Sequence, residues 1–577
     1  LVDGIRLNNS TCRYGPNRYI NGIDPYSTDR IESLPGAGST LYGSDAVGGV
    51  LNFLTPSPGL AARGTEISAA GRAKLVSGDM ETSGRLDVRL RTPRLGISGG
   101  VSLRSFGDLL AGGDLGVLSP SGYDETAGDL KCLFKLSDNL ILTAAGQFVR
   151  QPEVPAYDQV TQRGYGRYVF SPQERRLAYL KTTAFSPNPL WREIEATVSW
   201  QESIEGREKQ RKYDILLIRE RDEVETLGFQ LQVRSAPRNS WRLTTGCELY
   251  SDLVRSAAED LDAAGGSSIK KRGLYPDRAR AFNLAAYHAQ SIDIARFGLR
   301  AGFRCNLVRI RTRDDLFGDT CISPSAAVGH FSLLYRLSDS LHALFNLSRS
   351  FRAPNINDLS SFGAFDYGIE VPAPDLKPEY GTTLEAGVKS RGSRWAWGFY
   401  LYRTWLQDLI VRIESTYLGS AYYGDDRVYC RANRHRAYIQ GFESEAQGEI
   451  GRRWRIVMNA TYTFGHNIDD DEPLRRIPPL FGRARLEYYP GLGFQAAVEC
   501  LFAAKQDRLS SGDIADHRIP AGGTPGWQVV NIQAQWRRGG FQLTAGLQNL
   551  FDSAYRTHGS GIDAAGRCAW SGVRWGW

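Results

Sequence analysis

The chain has 577 residues, 42% of them hydrophobic, and a formal net charge of +7. No run of 18 apolar residues occurs, which excludes helical membrane spans, and the basic residues are spread along the chain instead of forming one patch with interleaved aromatics, which argues against nucleic acid as a partner. Sixty-two glycines, 27 tyrosines and 24 phenylalanines against 2 methionines favour strands and tight turns over helices.

Residues 1–60 carry short motif blocks and little alternation. From residue 63 the chain divides into segments of about 10 to 20 residues with period-2 alternation, the pattern of membrane barrel strands. In 84–91, Leu86, Val88 and Leu90 oppose Arg85, Asp87, Arg89 and Arg91. In 297–307, Phe297, Leu299, Ala301, Phe303, Cys305 and Leu307 oppose Arg300, Gly302, Arg304 and Asn306. One face suits lipid and the other water. Strands are expected near 63–73, 80–92, 95–106, 124–135, 139–151, 175–185, 191–209, 222–234, 240–255, 278–290 and 292–312. The series continues at 321–335, 340–352, 381–390, 393–412, 437–450, 453–467, 479–489, 492–506, 527–537, 540–550 and 567–577.

The expected fold is an all-β membrane barrel of about 22 antiparallel transmembrane strands, a size whose lumen side chains cannot fill and which therefore calls for a plug. Short turns such as 136–138, 336–339, 391–392, 451–452 and 538–539 alternate with long connections such as 152–174, 353–380 and 507–526, the rhythm of periplasmic turns and external loops. A soluble propeller would instead repeat its connections with a blade period.

The eight cysteines lack Cys-x-x-Cys or His/Cys grouping, so few disulfides, no zinc site and no cofactor are expected. Asp469-Asp470-Asp471-Glu472 lacks the spacing of a calcium loop and reads as a solvated acidic stretch. Nucleophile-elbow, zinc-protease and phosphate-loop motifs are missing, which favours transport over catalysis. A passive porin or an outer-membrane enzyme is the alternative from another class.

Asp3-Gly4-Ile5-Arg6, Ile23-Asp24-Pro25, Asp29-Arg30-Ile31-Glu32 and Leu41 through Asn52 together resemble the second half of the plug of TonB-dependent outer-membrane receptors. Ser350-Phe351-Arg352-Ala353-Pro354 with Leu376-Lys377-Pro378-Glu379, and Asn549-Leu550-Phe551-Asp552 through Tyr555 and Gly566-Arg567, resemble the barrel of the same family. The resemblance implies that 1–60 is the C-terminal half of an α+β plug domain in the lumen and 61–577 the barrel. It places the TonB box and first plug half upstream of Leu1. It implies a transporter of the Gram-negative outer membrane, importing a metal chelate such as a ferric siderophore, with haem or cobalamin as alternatives.

The partners implied are the TonB–ExbB–ExbD complex, reached through the upstream segment, outer-membrane lipid including lipopolysaccharide, and the barrel-assembly machinery, which would read the terminal aromatic Trp577. Two departures stand out. Leu34-Pro35-Gly36 lacks the arginine that commonly precedes the plug glycine, and Ala373-Pro374-Asp375-Leu376 replaces the usual Asn-Pro.

Candidate ligand residues fall in four groups. Asn8, Asn9, Arg13, Tyr14, Asn17 and Tyr19 lie between two plug motifs, where an apical loop or a plain structural turn is expected. The loop 353–380 carries Phe362, Phe365, Asp366, Tyr367 and Glu370. The stretch 152–174 contributes Arg163, Tyr165, Arg167 and Tyr168, and 413–436 contributes Tyr422, Tyr423, Arg431, Arg434 and Arg436. Arginine and tyrosine together suit anionic catecholate or carboxylate chelates, with loop packing or contact with anionic lipopolysaccharide as the alternative uses. The resemblance implies a histidine in the loop 353–380 for a haem receptor, and 355–375 holds none, which disfavours haem, although His435, His517 and His558 remain elsewhere.

Alternation turns Glu385 and Glu443 into the lumen. The resemblance suggests that such glutamates latch plug arginines, with Arg30, or Arg6 in a rotated plug, as the expected partner and a neighbouring lumen arginine or water for the second carboxylate.

Overall fold

A sheet with apolar residues on its outer face cannot end in open edges within a bilayer, because unpaired backbone groups in hydrocarbon cost several kcal/mol each. The computed structural model, which describes residues 1–13, 19–262, 266–365, 368–373 and 375–576, solves this by closure. The strand Glu66–Val76 pairs antiparallel with Glu81–Arg91 on one side and with the final strand Cys568–Gly576 on the other, completing a barrel of 22 antiparallel strands.

Each expected strand segment has its counterpart in the barrel, with differences at the upper ends. The sixth strand is Tyr165–Phe185, so Tyr165, Arg167 and Tyr168, expected in a loop, lie on a strand. Its 21 residues, at about 3.3 Å each, far outrun an apolar band about 25 Å tall. Above that band both faces meet water, alternation fades, and strand and loop look alike in sequence. The expected strand 393–412 also divides: Trp395–Gln407 stays in the wall, while Ile410–Glu414 joins a separate sheet.

That second sheet sits on the loops. Gly363–Phe365, Gly368–Glu370, Asp426–Asn433 and Ile410–Glu414 form it in that order, and Tyr422–Tyr423 pairs with Asp426–Asn433. The loops 353–378 and 408–436 are thereby one unit.

The outer face is apolar through its middle, with Leu86, Val88, Leu227, Phe303 and Leu307 exposed to lipid. Near the short turns it changes to aromatics, where Trp454 packs on Tyr488 at 4.5 Å and Trp536 on Phe541 at 6.1 Å between ring centroids. Such rings hold the barrel at the lipid–water boundary.

Inside, Arg30–Pro35 pairs with Gly49–Leu54, and a short helix, Ser39–Tyr42, links them. Gly43 ends the helix at φ +81°, a backbone conformation that favours glycine, and a side chain there would have to displace the Arg304 guanidinium from 2.8 Å. Val2, Ile5, Ile23 and Phe53 form an apolar cluster with Leu177 and Tyr179 of the wall.

Barrel side chains also bond main-chain carbonyls of residues 1–60. Arg175 donates to Gly22 O at 2.7 Å, Arg72 to Tyr26 O at 3.2 Å, Gln151 to Asn21 O at 3.2 Å, Gln230 to Gly4 O at 3.3 Å and Gln201 to Leu7 O at 3.4 Å.

Candidate functional site

The segment 8–13 rises toward the external loops, and its polar side chains are mostly committed to local bonds. Asn9 Oδ1 accepts from Thr11 N at 3.0 Å and from its hydroxyl at 2.9 Å, while Asn8 Nδ2 donates to Asp45 at 3.4 Å. The Tyr19 hydroxyl accepts from Arg13 N at 2.9 Å. Tyr14 and Asn17 lie outside the described residues.

Arg13 reaches the wall and forms an ion pair with Glu205. Glu205 also takes Arg207 at 2.8 Å, and fully buried Arg207 continues to Glu220 at 2.6 Å and to Asp222. Ser256 Oγ donates to Asp222 at 2.5 Å. Each charge in this chain has an opposite neighbour, as the low-dielectric interior requires. Arg13 is its one member from the plug, and it lies at the upper end of the lumen. A cavity of about 60 Å³ beside it is lined by Leu7, Asn9, Tyr19, Arg175, Gln201 and Glu205 among others. Ligand sites commonly run to about 300–1,000 Å³, so a chelate seated there requires the apex or its cover to move.

The cover is the unit built from the loops 353–378 and 408–436. Its short helix, Ile356–Ser360, is capped by Asn355, whose side chain accepts from Asp358 N while Asp358 accepts from Asn355 N. The same Asn355 donates through Nδ2 to Cys12 O at 2.8 Å, and Ile356 N donates to Ser10 O at 2.8 Å. The plug apex and cover are therefore joined through backbone carbonyls. Behind the helix, Tyr275 donates its hydroxyl to Asn357 Oδ1 at 3.3 Å.

Several expected ligand contacts serve the cover itself. Phe362 packs edge-on to Phe317 at 5.1 Å and against Tyr417 at 5.9 Å and Tyr423 at 6.1 Å, and Arg272 stacks over Phe317 and Phe362. Phe365 lies 5.4 Å from Tyr429 and under Arg412 at 4.2 Å. Arg431 is buried, donating to Asp358 at 2.7 Å and to Glu370 at 2.9 Å. Although burial pushes the Glu370 carboxyl up, Arg431 and Arg412 hold it below the ordinary glutamate value.

The remaining candidates are separated from this core. Arg167 bonds Glu153 and Glu208, Tyr165 stacks with Arg211 at 4.5 Å, and Arg163 gives its carbonyl to Arg211. Tyr422 and Arg434 are exposed, and Arg436 pairs with Asp469. Asp366, Tyr367, Pro374 and Trp577 lie outside the described residues.

The expected latch has other partners. Arg30 bonds Glu32 at 3.1 Å, because alternate residues of an exposed hairpin share one face and the nearer carboxylate wins. Arg6 donates to Asn8 O at 2.7 Å and lies over the Tyr250 ring, on a strand five places round the wall from Glu385. Glu385 does reach residues 34–36, its Oε2 lying 3.6 Å from where a Gly36 side chain would begin, and Leu34-Pro35-Gly36 offers it no cation.

Asp24 and Asp3 hold the corresponding place in the structure. Buried Arg85 binds Asp24 at 3.2 Å, Asp87 at 2.7 Å and Asp129 at 2.6 Å, and Ser102 donates to Asp24 at 2.6 Å. Asp3 takes Lys131 at 3.0 Å and Tyr179 at 2.9 Å. Alternation marked Arg85 as lumen-facing, but nothing in sequence matched it to Asp24.

Residues 136–550 match the family model described as TonB dependent receptor-like, beta-barrel, and residues 1–50 match the TonB-dependent Receptor Plug Domain. The ferric aerobactin receptor of Klebsiella pneumoniae is 47% identical over 55 residues, covering 10% of this chain and 7% of that protein. The vitamin B12 transporter BtuB of Vibrio vulnificus is 32% identical over 101 residues, covering 18% and 14%. These alignments thus span a small part of either relative. In fold, the copper transporter OprC superposes with a TM-score of 0.85 at 18% identity, covering 100% of this chain and 90% of that one.

Proposed function

Because the chain belongs to the TonB-dependent receptor family of the Gram-negative outer membrane, we propose that it imports a scarce nutrient chelate, a ferric siderophore before haem or cobalamin, with energy supplied through the TonB–ExbB–ExbD complex. The observation that carries this reading is the junction of Ser10 and Cys12 with Ile356 and Asn355, which ties the plug apex to the loops a ligand meets first. A passive porin has no use for such a junction, since its lumen stays open. A ligand that loosens the cover disturbs the apex directly, and binding outside becomes a change inside.

Arg13 is the group through which ligand charge would act. An anionic chelate competes with Glu205 for its guanidinium, and Tyr19 lies beside it to stack or donate. The receptor from Klebsiella pneumoniae named above takes an iron chelate, which agrees with this class.

Growth of an iron-limited strain expressing the intact gene, over a panel of ferric siderophores, haem, cobalamin and copper salts, tests the reading. Uptake of a ferric siderophore that disappears on loss of TonB or of the proton gradient is the expected result. Uptake that persists without TonB overturns it.

A further inference from the structure

Among the described residues five arginines are buried, Arg85, Arg175, Arg207, Arg304 and Arg431. Four of them are matched by carboxylates. Arg85 has Asp24, Asp87 and Asp129, Arg207 has Glu205, Glu220 and Asp222, Arg304 has Glu248, and Arg431 has Asp358 and Glu370. Arg175, only 5% exposed, pairs with no carboxylate among the described residues. It donates through Nε to Gly22 O at 2.7 Å and through Nη2 to Gln147 Oε1 at 3.1 Å, both neutral acceptors. Its Nη1 is buried and has no partner among the described residues.

The strands set what surrounds this guanidinium. Arg175 stands directly across from Ser203 on one side and from Val149 on the other, and it lines the cavity of about 60 Å³ between plug and wall. Leu7, Val149 and Ile204 give that cavity apolar walls, while Asn9, Gln201 and Ser203 bring side chains with N–H or O–H donors. Glu205 also lines it, but its charge is taken by Arg13 and Arg207. Water could complete the hydrogen bond of Nη1 without cancelling its charge. A buried charge without a counter-charge is disfavoured far more strongly than an unmade hydrogen bond.

We propose that Arg175 holds a small monovalent inorganic anion, chloride being the abundant ion of that kind, in the cavity between plug and wall. One unmatched cation calls for one negative charge, so a divalent oxyanion would bring a second charge with nothing to meet it. The space takes a monatomic ion or a few waters and excludes a chelate. Because Nε of the same guanidinium holds Gly22 O, an anion on Nη1 fixes the side chain that grips the plug. Plug seating thereby becomes dependent on the anion.

The receptor in detergent micelles is held at constant ionic strength in mixtures of sodium chloride and sodium gluconate, whose anion is too large for the cavity, and proteolysis of residues 1–60 is followed. For a site with a Kd of about 10 mM, raising chloride from about 1 to about 100 mM should slow cleavage roughly 10-fold. Arg175→Gln should lose the chloride response, and Arg30→Gln, which removes an exposed cation, should keep it. Ser203→Asp supplies a carboxylate directly across from Arg175. It should also lose the response, while resisting protease in gluconate as well as the parent does in chloride, a gain that a folding defect could not produce. Crystals of the parent soaked in bromide should show an anomalous peak beside Arg175 Nη1, and crystals of Ser203→Asp should not. Equal cleavage of the parent in both salts, as water alone in the cavity would give, overturns the site. So does a chloride response that survives in Arg175→Gln, or a Ser203→Asp variant weaker than the parent in gluconate. No chelate or TonB enters these measurements, so the site and the transport reading fail or stand separately.

Discussion

Ile356 donates its amide hydrogen to the Ser10 carbonyl at 2.8 Å, so the first turn of the external helix is built on the plug apex. A helix of five residues has little order of its own, since a single turn costs more in fixed dihedrals than its bonds return. Its order comes from burial of Ile356 and Leu359 in the apolar core, from the Asn355 cap and from the plug carbonyls beneath.

Asn355 separates these two contributions. Asn355→Asp keeps the capping acceptor and loses the donor to Cys12 O, placing a carboxylate against a carbonyl. Amide exchange in 9–12 and 355–361 should rise about 5- to 30-fold, the range of one lost buried bond. Asn355→Ala loses the cap as well, at about 1 kcal/mol more, and its exchange should exceed that of the Asp variant.

Plug seating should follow Asp24 and be indifferent to Glu385 and Glu443. Asp24→Asn removes one of three carboxylates around buried Arg85 and should weaken plug retention by about 1–3 kcal/mol. The double variant Glu385→Ala with Glu443→Ala should match the parent. Protease sensitivity of the plug and urea-induced conductance in planar bilayers read both.

Arg13→Ala should lower affinity for an anionic chelate about 10-fold, the scale of one charge-assisted contact. Barrel stability should barely change, because Glu205 keeps Arg207 at 2.8 Å. Binding titration and thermal unfolding of the same sample check the two halves, and an unchanged affinity removes Arg13 from the site.

In the absence of ligand, the cover should loosen only in acid. Glu370 has its carboxyl held below the ordinary glutamate value of 4.5, so its ion pairs with Arg431 and Arg412 stabilise the cover fully above that value. The contribution fades as pH falls through the lower folded value. Proteolysis of 353–378 should therefore be unchanged from neutral pH to about 5 and accelerate only well below about 4.5. Glu370→Gln should be cut faster already at neutral pH.

The strands were legible because a bilayer imposes a strict contrast on alternate side chains: Leu86 and Val88 cannot trade places with Arg85 and Asp87. That contrast stops at the headgroups, which is why the upper halves of Tyr165–Phe185 and Leu216–Arg238 extend beyond the segments expected from alternation. Glycine and acidic motifs such as Leu41 through Asn52 gave the family. Partners were another matter. Arg85 and Asp24 are 61 residues apart, and Arg30 has a carboxylate two residues away, so distance in space decided pairings that distance in sequence could not. The candidate aromatics and Arg431 were identified as loop residues, but their use for packing the cover depended on two loops sharing one sheet.

The wall grips the plug through main-chain oxygens at Gly4, Leu7, Asn21, Gly22 and Tyr26, and a carbonyl is the same whatever side chain its residue bears. At those five points the barrel recognises a path of the backbone and is blind to the letters along it. Plug and barrel are therefore free to drift apart in sequence there, and a plug taken from another receptor could be seated in this barrel if its chain follows the same course. Lineages that exchange plugs by recombination would inherit that part of the fit at once, with side-chain contacts such as Asp24 with Arg85, Asp3 with Lys131, Arg13 with Glu205 and the apolar packing on Leu177 and Tyr179 left to be re-matched.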